Sequence, residues 1–139
     1  IGLKRIMSVL EEITQTITNN QTESDSELRI LVVDDSFPIR KYMEHTLPTL
    51  TGASLTVEFA SNGEEALEKM LTSTYDLVFL DVMMPGINGY KTCKTIKSLY
   101  SSSVVMLTGK KSPFDKVRGT MSGCNFLIFL AKEFLDETE

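Results

Sequence analysis

From residue 28 onward, short apolar runs alternate with longer amphipathic stretches. Two of the runs, LRILVVDD and DLVFLD, are continuously apolar up to their acidic ends, which is typical of strands covered on both faces. A third run, SLTVEFA, alternates apolar and polar positions. The five predicted strands are 28–35, 54–60, 76–81, 104–109 and 126–130. The four predicted helices between them are 36–50, 61–73, 89–99 and 113–122.

This strict alternation predicts one α/β domain over residues 28–139. Strands that alternate with helices form parallel sheets, because a right-handed crossover joins each strand to the next. We therefore expect a doubly wound, five-stranded parallel sheet with helices on both faces. Ser36 is a candidate N-cap for the first helix, and Pro48 should end or kink that helix.

Residues 1–18 carry a separate apolar stripe, spaced by alternating steps of three and four as at the a and d positions of a helix. The stripe consists of Leu3, Ile6, Leu10, Ile13 and Ile17. An isolated helix of this length is marginal in water, so it needs a partner. We expect it to pack on its own domain or in a dimeric coiled coil from an upstream domain. The polar segment 19–27 indicates a linker, and since the chain starts at Ile1 we expect it to be part of a longer protein.

The 139 residues are 42% hydrophobic and 24% charged, which is ordinary for one globular domain. A net charge of −5 argues against direct nucleic-acid binding and against insertion at an anionic membrane. No apolar run has the length of a membrane span and no signal peptide is evident, so we expect a cytoplasmic protein. Cys93 and Cys124 lack CxxC spacing, and we expect buried thiols rather than a disulfide or a metal pair.

Acidic and hydroxyl side chains lie where the predicted strands end. Asp34 and Asp35 end the first strand, Asp81 the third and Thr108 the fourth, and Lys132 follows the last. In a parallel sheet these ends lie together, where ligands bind. Three carboxylates there need a compensating charge, which Mg²⁺ with its preference for oxygen ligands supplies.

Such a site suits phosphoryl chemistry. Mg²⁺ neutralises a phosphate, Thr108 donates to one of its oxygens and a lysine pairs with another. One aspartate can act as the nucleophile and form an aspartyl phosphate, and Gly109 leaves room for the phosphodonor. The alternative for any single aspartate is a helix cap, which for Asp35, next to Ser36, is a sufficient explanation.

Five motifs resemble the CheY-like receiver domains of two-component response regulators: LVVDDS, VEFASNGEEAL, DLVFLDVMMPGINGY, VVMLTGK and GCN. The resemblance covers about 28–132 and is most specific in D-x-M-M-P-x-x-x-G at 81–89. It implies a flavodoxin-like fold in which Asp81 takes a phosphoryl group from a histidine kinase or phosphotransfer protein. It also implies that Asp34, Asp35 and the backbone carbonyl of Met83 hold Mg²⁺.

The resemblance assigns roles to residues around this site as well. Thr108 would be the switch hydroxyl, and Pro85 and Gly89 would shape the loop after the phosphoacceptor. In the family an aromatic switch residue stands three positions before a phosphate-binding lysine. Phe129 stands three before Lys132 and is therefore the expected aromatic switch.

The C-terminal stretch departs from the family pattern. Leu130 occupies the usual lysine position and Ala131 the usual proline, whereas Lys132 comes two residues later. Because two residues are one full strand repeat, Lys132 would point to the same side as Leu130. A register shift that brings Lys132 to the phosphate is one interpretation, and a site without a lysine is the other. Only seven residues follow Lys132, so we expect the family's last helix to be truncated or missing.

The leading interpretation is a phosphoacceptor switch with only self-directed phosphotransfer and autodephosphorylation, not a turnover enzyme. The first alternative is a pseudo-receiver, an interaction module whose switch is incomplete because Leu130 fills the lysine position. A second is a metal-dependent phosphatase or hydrolase, which would need a general acid where this chain has Met83. A homodimer through residues 1–18 or through the face left by the short C-terminus is a further expectation.

Overall fold

The computed structural model describes residues 27–51, 54–82, 88–108 and 121–129, together with Ser8, Glu11, Glu12 and Gln15. These ranges hold five strands and three longer helices. The strands are β1 (Leu28–Val33), β2 (Leu55–Ala60), β3 (Leu77–Asp81), β4 (Ser103–Thr108) and β5 (Phe126–Phe129). The helices are α1 (Phe37–Thr51), α2 (Gly63–Met70) and α3 (Gly89–Leu99).

The strands form one parallel sheet in the order β2-β1-β3-β4-β5. The chain therefore moves outward from β1 to β2 and then returns across β1 to continue on its other side with β3. This reversal leaves a crevice between the carboxyl ends of β1 and β3, the place where ligands bind in such sheets. The predicted α/β class with a parallel sheet is confirmed.

Strand β1 shows why its sequence is continuously apolar from Ile30 to Val33. Ile30 and Val32 face a core cluster shared with Ile39 of α1. Leu31 and Val33 face a second cluster shared with residues of α2 and α3. Since neither face of β1 meets solvent, every position from Ile30 to Val33 is buried.

Local signals set the helix boundaries closely. Asn62 caps α2 by accepting a hydrogen bond from the Glu65 backbone N–H at 2.8 Å, while the Glu65 carboxylate accepts one from the Ser61 N–H at 3.1 Å. This exchange resembles a capping box. Pro48 lies inside the last turn of α1, so the helix ends at Thr51 and not at the proline. A proline near the end of a helix removes a single hydrogen bond, which the preceding turns tolerate.

Several predictions lie outside the described residues. They concern the apolar stripe of residues 1–18, the predicted linker 19–27 except its last residue, the predicted helix 113–122 except its last two residues, and the segment after residue 129. The dimer and the short last helix therefore stay predictions. Among the described residues, no helix is both long and apolar enough to span a membrane.

Candidate functional site

The candidate site begins where β1 and β3 end side by side. Val33 pairs with Leu80 in the β1–β3 register, so the next residues along the two strands are Asp34 and Asp81. The Asp34 N–H donates to the Ala60 carbonyl at 3.0 Å and extends the ladder with β2 by one residue. Backbone pairing thus places both aspartates at the same end of the sheet.

The three predicted acidic residues come together there. One carboxylate oxygen from each of Asp34, Asp35 and Asp81 lies within 4.8 Å of the other two. Asp34 and Asp81 are buried, whereas Asp35 is exposed. The Ser36 N–H donates to Asp34 Oδ1 at 2.8 Å and fixes that carboxylate at the start of α1. Like charges this close repel one another, so the cluster favours a bound cation.

The chemistry of this donor set fits Mg²⁺. All three side chains offer oxygen, the ligand that a hard divalent cation prefers, and Mg²⁺ commonly uses one or two carboxylates and completes its shell with water and phosphate oxygens. The exposed Asp35 marks the side on which solvent or a phosphoryl group can approach. Asp34 and Asp35 are the residues that would hold the ion, with Asp81 beside it.

The start of α3 packs directly against the end of β3. The Gly89 N–H donates to the Val82 carbonyl at 3.3 Å. A Cβ atom at Gly89 would lie 2.5 Å from the Asp81 carbonyl oxygen and 2.8 Å from the Val82 Cα, well inside contact distance. Only glycine lets α3 approach this closely. The loop-shaping role expected of Gly89 therefore has a steric basis.

Asn88 caps the helix that packs against the end of β3, and the sequence analysis missed this cap. Its side-chain oxygen accepts a hydrogen bond from the Lys91 N–H at 2.9 Å, which caps α3 at the residue before Gly89. The cap holds the first turn of α3 next to Asp81. An asparagine directly before a predicted helix is the signal that identifies such a cap.

Strands β4 and β5 bring two more predicted positions to this end of the sheet. Asp81 pairs with Leu107, so Thr108 is the next residue of β4, and Thr108 in turn pairs with Phe129. The Val82 N–H donates to the Leu107 carbonyl at 2.9 Å and continues the β3–β4 ladder. The backbones of the expected switch residues, Thr108 and Phe129, thus lie in one row with the end of β3, which carries the expected phosphoacceptor Asp81.

The remaining predicted positions lie outside the described residues, and their roles stay predictions. They are Met83, Pro85, Gly109, Leu130 and Lys132. The described residues therefore include the three carboxylates and the strand ends, but not the segments in which phosphate contacts are expected.

Comparison with known proteins decides the family. The family model for the response regulator receiver domain matches residues 30–138. The chain belongs to the response regulator receiver family. This receiver is 36% identical over 106 residues to the transcriptional regulatory protein ResD of Bacillus subtilis, an alignment that covers 76% of this chain and 43% of ResD. It therefore spans less than half the length of the curated relatives it matches.

Solved structures agree with this assignment. The receiver superimposes on the Vibrio cholerae chemotaxis protein CheY4 with a TM-score of 0.66 and 33% identity, covering 81% of this chain and 96% of CheY4. It also matches the response regulator TrrA of Thermotoga maritima with a TM-score of 0.64 and 32% identity, covering 80% and 95% of the two chains. The TrrA structure is a complex with Mg²⁺ and a beryllium fluoride group.

Proposed function

We propose that this receiver is the phosphoacceptor of a two-component or phosphorelay pathway, and that Asp81 carries the phosphoryl group. The observation that supports this most strongly is the cluster of Asp34, Asp35 and Asp81 at the carboxyl end of the sheet. Membership of the receiver family supports the same role. The phosphodonor would be a histidine kinase or a histidine phosphotransfer protein of the cytoplasm.

The transfer requires little from the protein beyond positioning and charge. An Asp81 carboxylate oxygen attacks phosphorus, the bond between phosphorus and the donor's imidazole nitrogen breaks, and the imidazole leaves with that electron pair. A bound Mg²⁺ would offset the negative charge of the phosphoryl oxygens. Asp34 and Asp35 would hold that cation, and the first turn of α3, fixed by Gly89, keeps the Asp81 backbone in place. The receiver would catalyse only its own phosphorylation and its own dephosphorylation.

Switching after phosphorylation would involve Thr108, Phe129 and Lys132. In this proposal Thr108 donates to one phosphoryl oxygen and Lys132 pairs with another. The neutral hydrogen bond from Thr108 contributes about 0.5–1.5 kcal/mol, and the charge-assisted one from Lys132 about 1.5–3 kcal/mol. A full switch takes about 5.5 kcal/mol of differential binding. If Leu130 fills the lysine position instead, the domain takes up phosphate but switches weakly, as in a pseudo-receiver. In either case, the output of the switch would be a change in the binding partner or in dimerisation.

Intact-mass measurement tests the proposal directly. Acetyl phosphate with Mg²⁺ should add one phosphoryl group to the parent, and Asp81→Asn or removal of Mg²⁺ with a chelator should abolish the gain. The matched control is Asp76→Asn, because Asp76 lies at the other end of β3 and accepts a hydrogen bond from the Arg29 N–H at 2.9 Å, which asparagine can still accept. Full phosphorylation of the Asp81→Asn protein would refute the assignment.

A further inference from the structure

Helices α2 and α3 lie side by side on one face of the sheet. Both bury residues in the same core cluster, to which α2 contributes Ala66 and Met70 and α3 contributes Cys93 and Ile96. Each helix connects one strand of the parallel sheet to the next, so both start near the carboxyl ends of the strands and run back toward the amino end. The helices are therefore parallel, and the exposed side chains of residues 63–71 and 89–99 form one surface, the α2–α3 surface.

A large apolar side chain is exposed at the end of each of these helices. Leu71 directly follows α2 and is 77% exposed, and Leu99 is the last residue of α3 and is 65% exposed. Lys97 Cγ lies 3.7 Å from the position that a Cβ of Gly123 would take, which is on the β5 side of α3 and away from α2. Because two residues turn a helix by about 200°, Leu99 points to the other side, toward α2. The two leucines thus border the same end of the α2–α3 surface.

The two helices carry opposite charges on this surface. Glu64 and Glu68 are the exposed charged residues of α2, whereas α3 has no acidic residue and exposes Lys91 and Lys94. Glu68 and Lys94 lie at about the same level, because each is five residues past the first residue of its helix. Within the described ranges, neither of these two residues forms an ion pair. Both charges are therefore available to a partner.

A surface with an acidic half and a basic half is complementary to itself. An acidic partner would match α3 but would be repelled by α2, and a basic partner would have the reverse problem. A second copy related by a twofold axis that runs between the two helices, parallel to both, places its α3 against α2 and its α2 against α3. The charges then match in both halves, and Leu71 of each copy meets Leu99 of the other at the same end.

We propose that the α2–α3 surface is the interface of a homodimer with this symmetry. In the dimer, Glu68 of each copy pairs with Lys94 of the other, and the leucines form its apolar part. The helices have 8 and 11 residues and are about 12 and 16 Å long. Such an interface belongs to the small class that buries less than about 1,200 Å² and is weak. We therefore expect a reversible dimer whose fraction rises with protein concentration.

Sedimentation of the full 139-residue chain over a range of concentrations tests the apolar part of the interface. Leu71→Asp and Leu99→Asp should each raise the dissociation constant by at least about tenfold, as expected for a central apolar contact. The matched control is Phe37→Asp, because Phe37 is 69% exposed and lies on α1, which packs on the other face of the sheet. It should dimerise as the parent does. Asp81→Asn should also do so, since the interface uses no residue of the acidic cluster.

A charge exchange tests the symmetry itself. Glu68→Lys and Lys94→Glu should each weaken self-association by about tenfold, because each places like charges opposite one another twice in the dimer. An equal mixture of these two variants should form a heterodimer at least as stable as the parent dimer, since every acidic side chain then meets a lysine. Glu44→Lys, an exposed change on α1 with the same effect on net charge as Glu68→Lys, should leave dimerisation unchanged.

Three results would overturn the proposal. The first is a parent that stays monomeric up to about 1 mM, and the second is a dimer that neither leucine variant weakens, as expected if residues 1–18 alone held it together. The third is a mixture of Glu68→Lys and Lys94→Glu that associates no better than either variant alone. Thermal unfolding confirms that each variant is folded, and all the substituted positions on the α2–α3 surface are exposed.

Discussion

At the carboxyl end of the sheet, carboxylate oxygens of Asp34, Asp35 and Asp81 lie within 4.8 Å of one another. Toward the amino end, two acidic side chains, Glu58 and Asp76, face hydrogen-bond donors. Glu58 pairs with the Arg29 guanidinium at 2.6 Å and accepts from the Tyr75 hydroxyl at 2.9 Å. Acidic side chains therefore lie beside one another at the carboxyl end of the sheet, whereas at the amino end they lie beside hydrogen-bond donors and a positive charge.

Other contacts at the amino end follow the same rule. Asp76 and Arg29 exchange two hydrogen bonds across β1 and β3, at 2.8 and 2.9 Å. Asn125 accepts from both the Val104 N–H at 2.8 Å and the Lys97 ammonium at 3.1 Å. Polar groups matched in this way stabilise the fold but leave little for a ligand. At the carboxyl end, by contrast, the three carboxylates repel one another, and a bound cation can relieve this repulsion. Such an arrangement is typical of a functional site.

Two glycines, one at each end, offer the strongest test of this comparison. We expect Gly89→Ala to lower the rate of phosphoryl uptake by about a hundredfold, because the added Cβ forces α3 away from Asp81 and a displacement of about 1 Å has effects of that size. It should also cost about 1–3 kcal/mol of unfolding free energy through overpacking. Intact-mass time courses and urea unfolding measure the two effects.

Gly123→Ala is the matched control for this prediction. Its φ of 84° makes alanine strained, but the nearest side-chain atom to an added Cβ is Lys97 Cγ at an ordinary 3.7 Å. We expect a stability loss of about 1–2 kcal/mol from the left-handed backbone alone and an uptake rate close to that of the parent. Equal uptake rates in the two alanine variants would show that α3 does not position Asp81.

Neutralising one acidic side chain should change the free energy of unfolding in opposite directions at the two ends of the sheet. Without Mg²⁺, Asp34→Asn should raise the free energy of unfolding by about 1–2 kcal/mol, because it removes repulsion at short range and asparagine still accepts from the Ser36 N–H. Glu58→Gln should lower it by about 0.5–1 kcal/mol, since it removes a partly exposed ion pair. Urea unfolding in a chelator, repeated with Mg²⁺, measures both. A loss of stability in both variants would contradict the idea that the carboxyl end is strained by charge.

Much of this comparison is predictable from the sequence. The acids at the carboxyl end are visible because a continuous apolar run such as DLVFLD shows where a buried strand ends. Parallel topology then brings those ends together, so the positions of Asp34 and Asp81 in the chain are enough to predict that they lie side by side. The alternation of strands and helices along the sequence was likewise sufficient to predict the α/β fold class with a parallel sheet.

The contacts between distant residues were not predictable. The close approach of Gly89 to the Asp81 backbone depends on how far α3 sits from β3, which no local pattern encodes. Cys93 and Ser122 are far apart in the sequence, and only the packing of α3 against the entry to β5 places the Cys93 thiol at the Ser122 carbonyl. The pairing of Glu58 with Tyr75 likewise depends on tertiary packing and not on propensity.

The contact between Glu58 and Tyr75 at the amino end should affect how stability depends on pH in alkaline solution. We expect this effect to be smaller than those of the preceding variants. Burial, and then the hydrogen bond and the negative charge of Glu58, raise the pKa of the Tyr75 hydroxyl above its usual value of 10.0. A group whose pKa is higher in the folded state contributes stability that is complete below the unfolded pKa and is lost as the pH rises through the folded pKa. The parent should therefore lose stability above about pH 10 more steeply than Tyr75→Phe, whose lost hydrogen bond costs about 1 kcal/mol at neutral pH.

The comparison between the two variants isolates this effect, because lysines and other tyrosines titrate equally in both proteins. Asp34→Asn serves as the control from the carboxyl end and should follow the parent's slope above pH 10, since the Tyr75 hydroxyl donates to Glu58 and that contact is unchanged in this variant. Urea unfolding at pH steps from 8 to about 11 supplies the slopes. Parallel curves for the parent and Tyr75→Phe would mean that Tyr75 ionises as easily in the native state as in the unfolded chain. The Glu58–Tyr75 hydrogen bond would then be too weak at alkaline pH to oppose ionisation, and Arg29 would be the stronger of the two partners of Glu58 at the amino end.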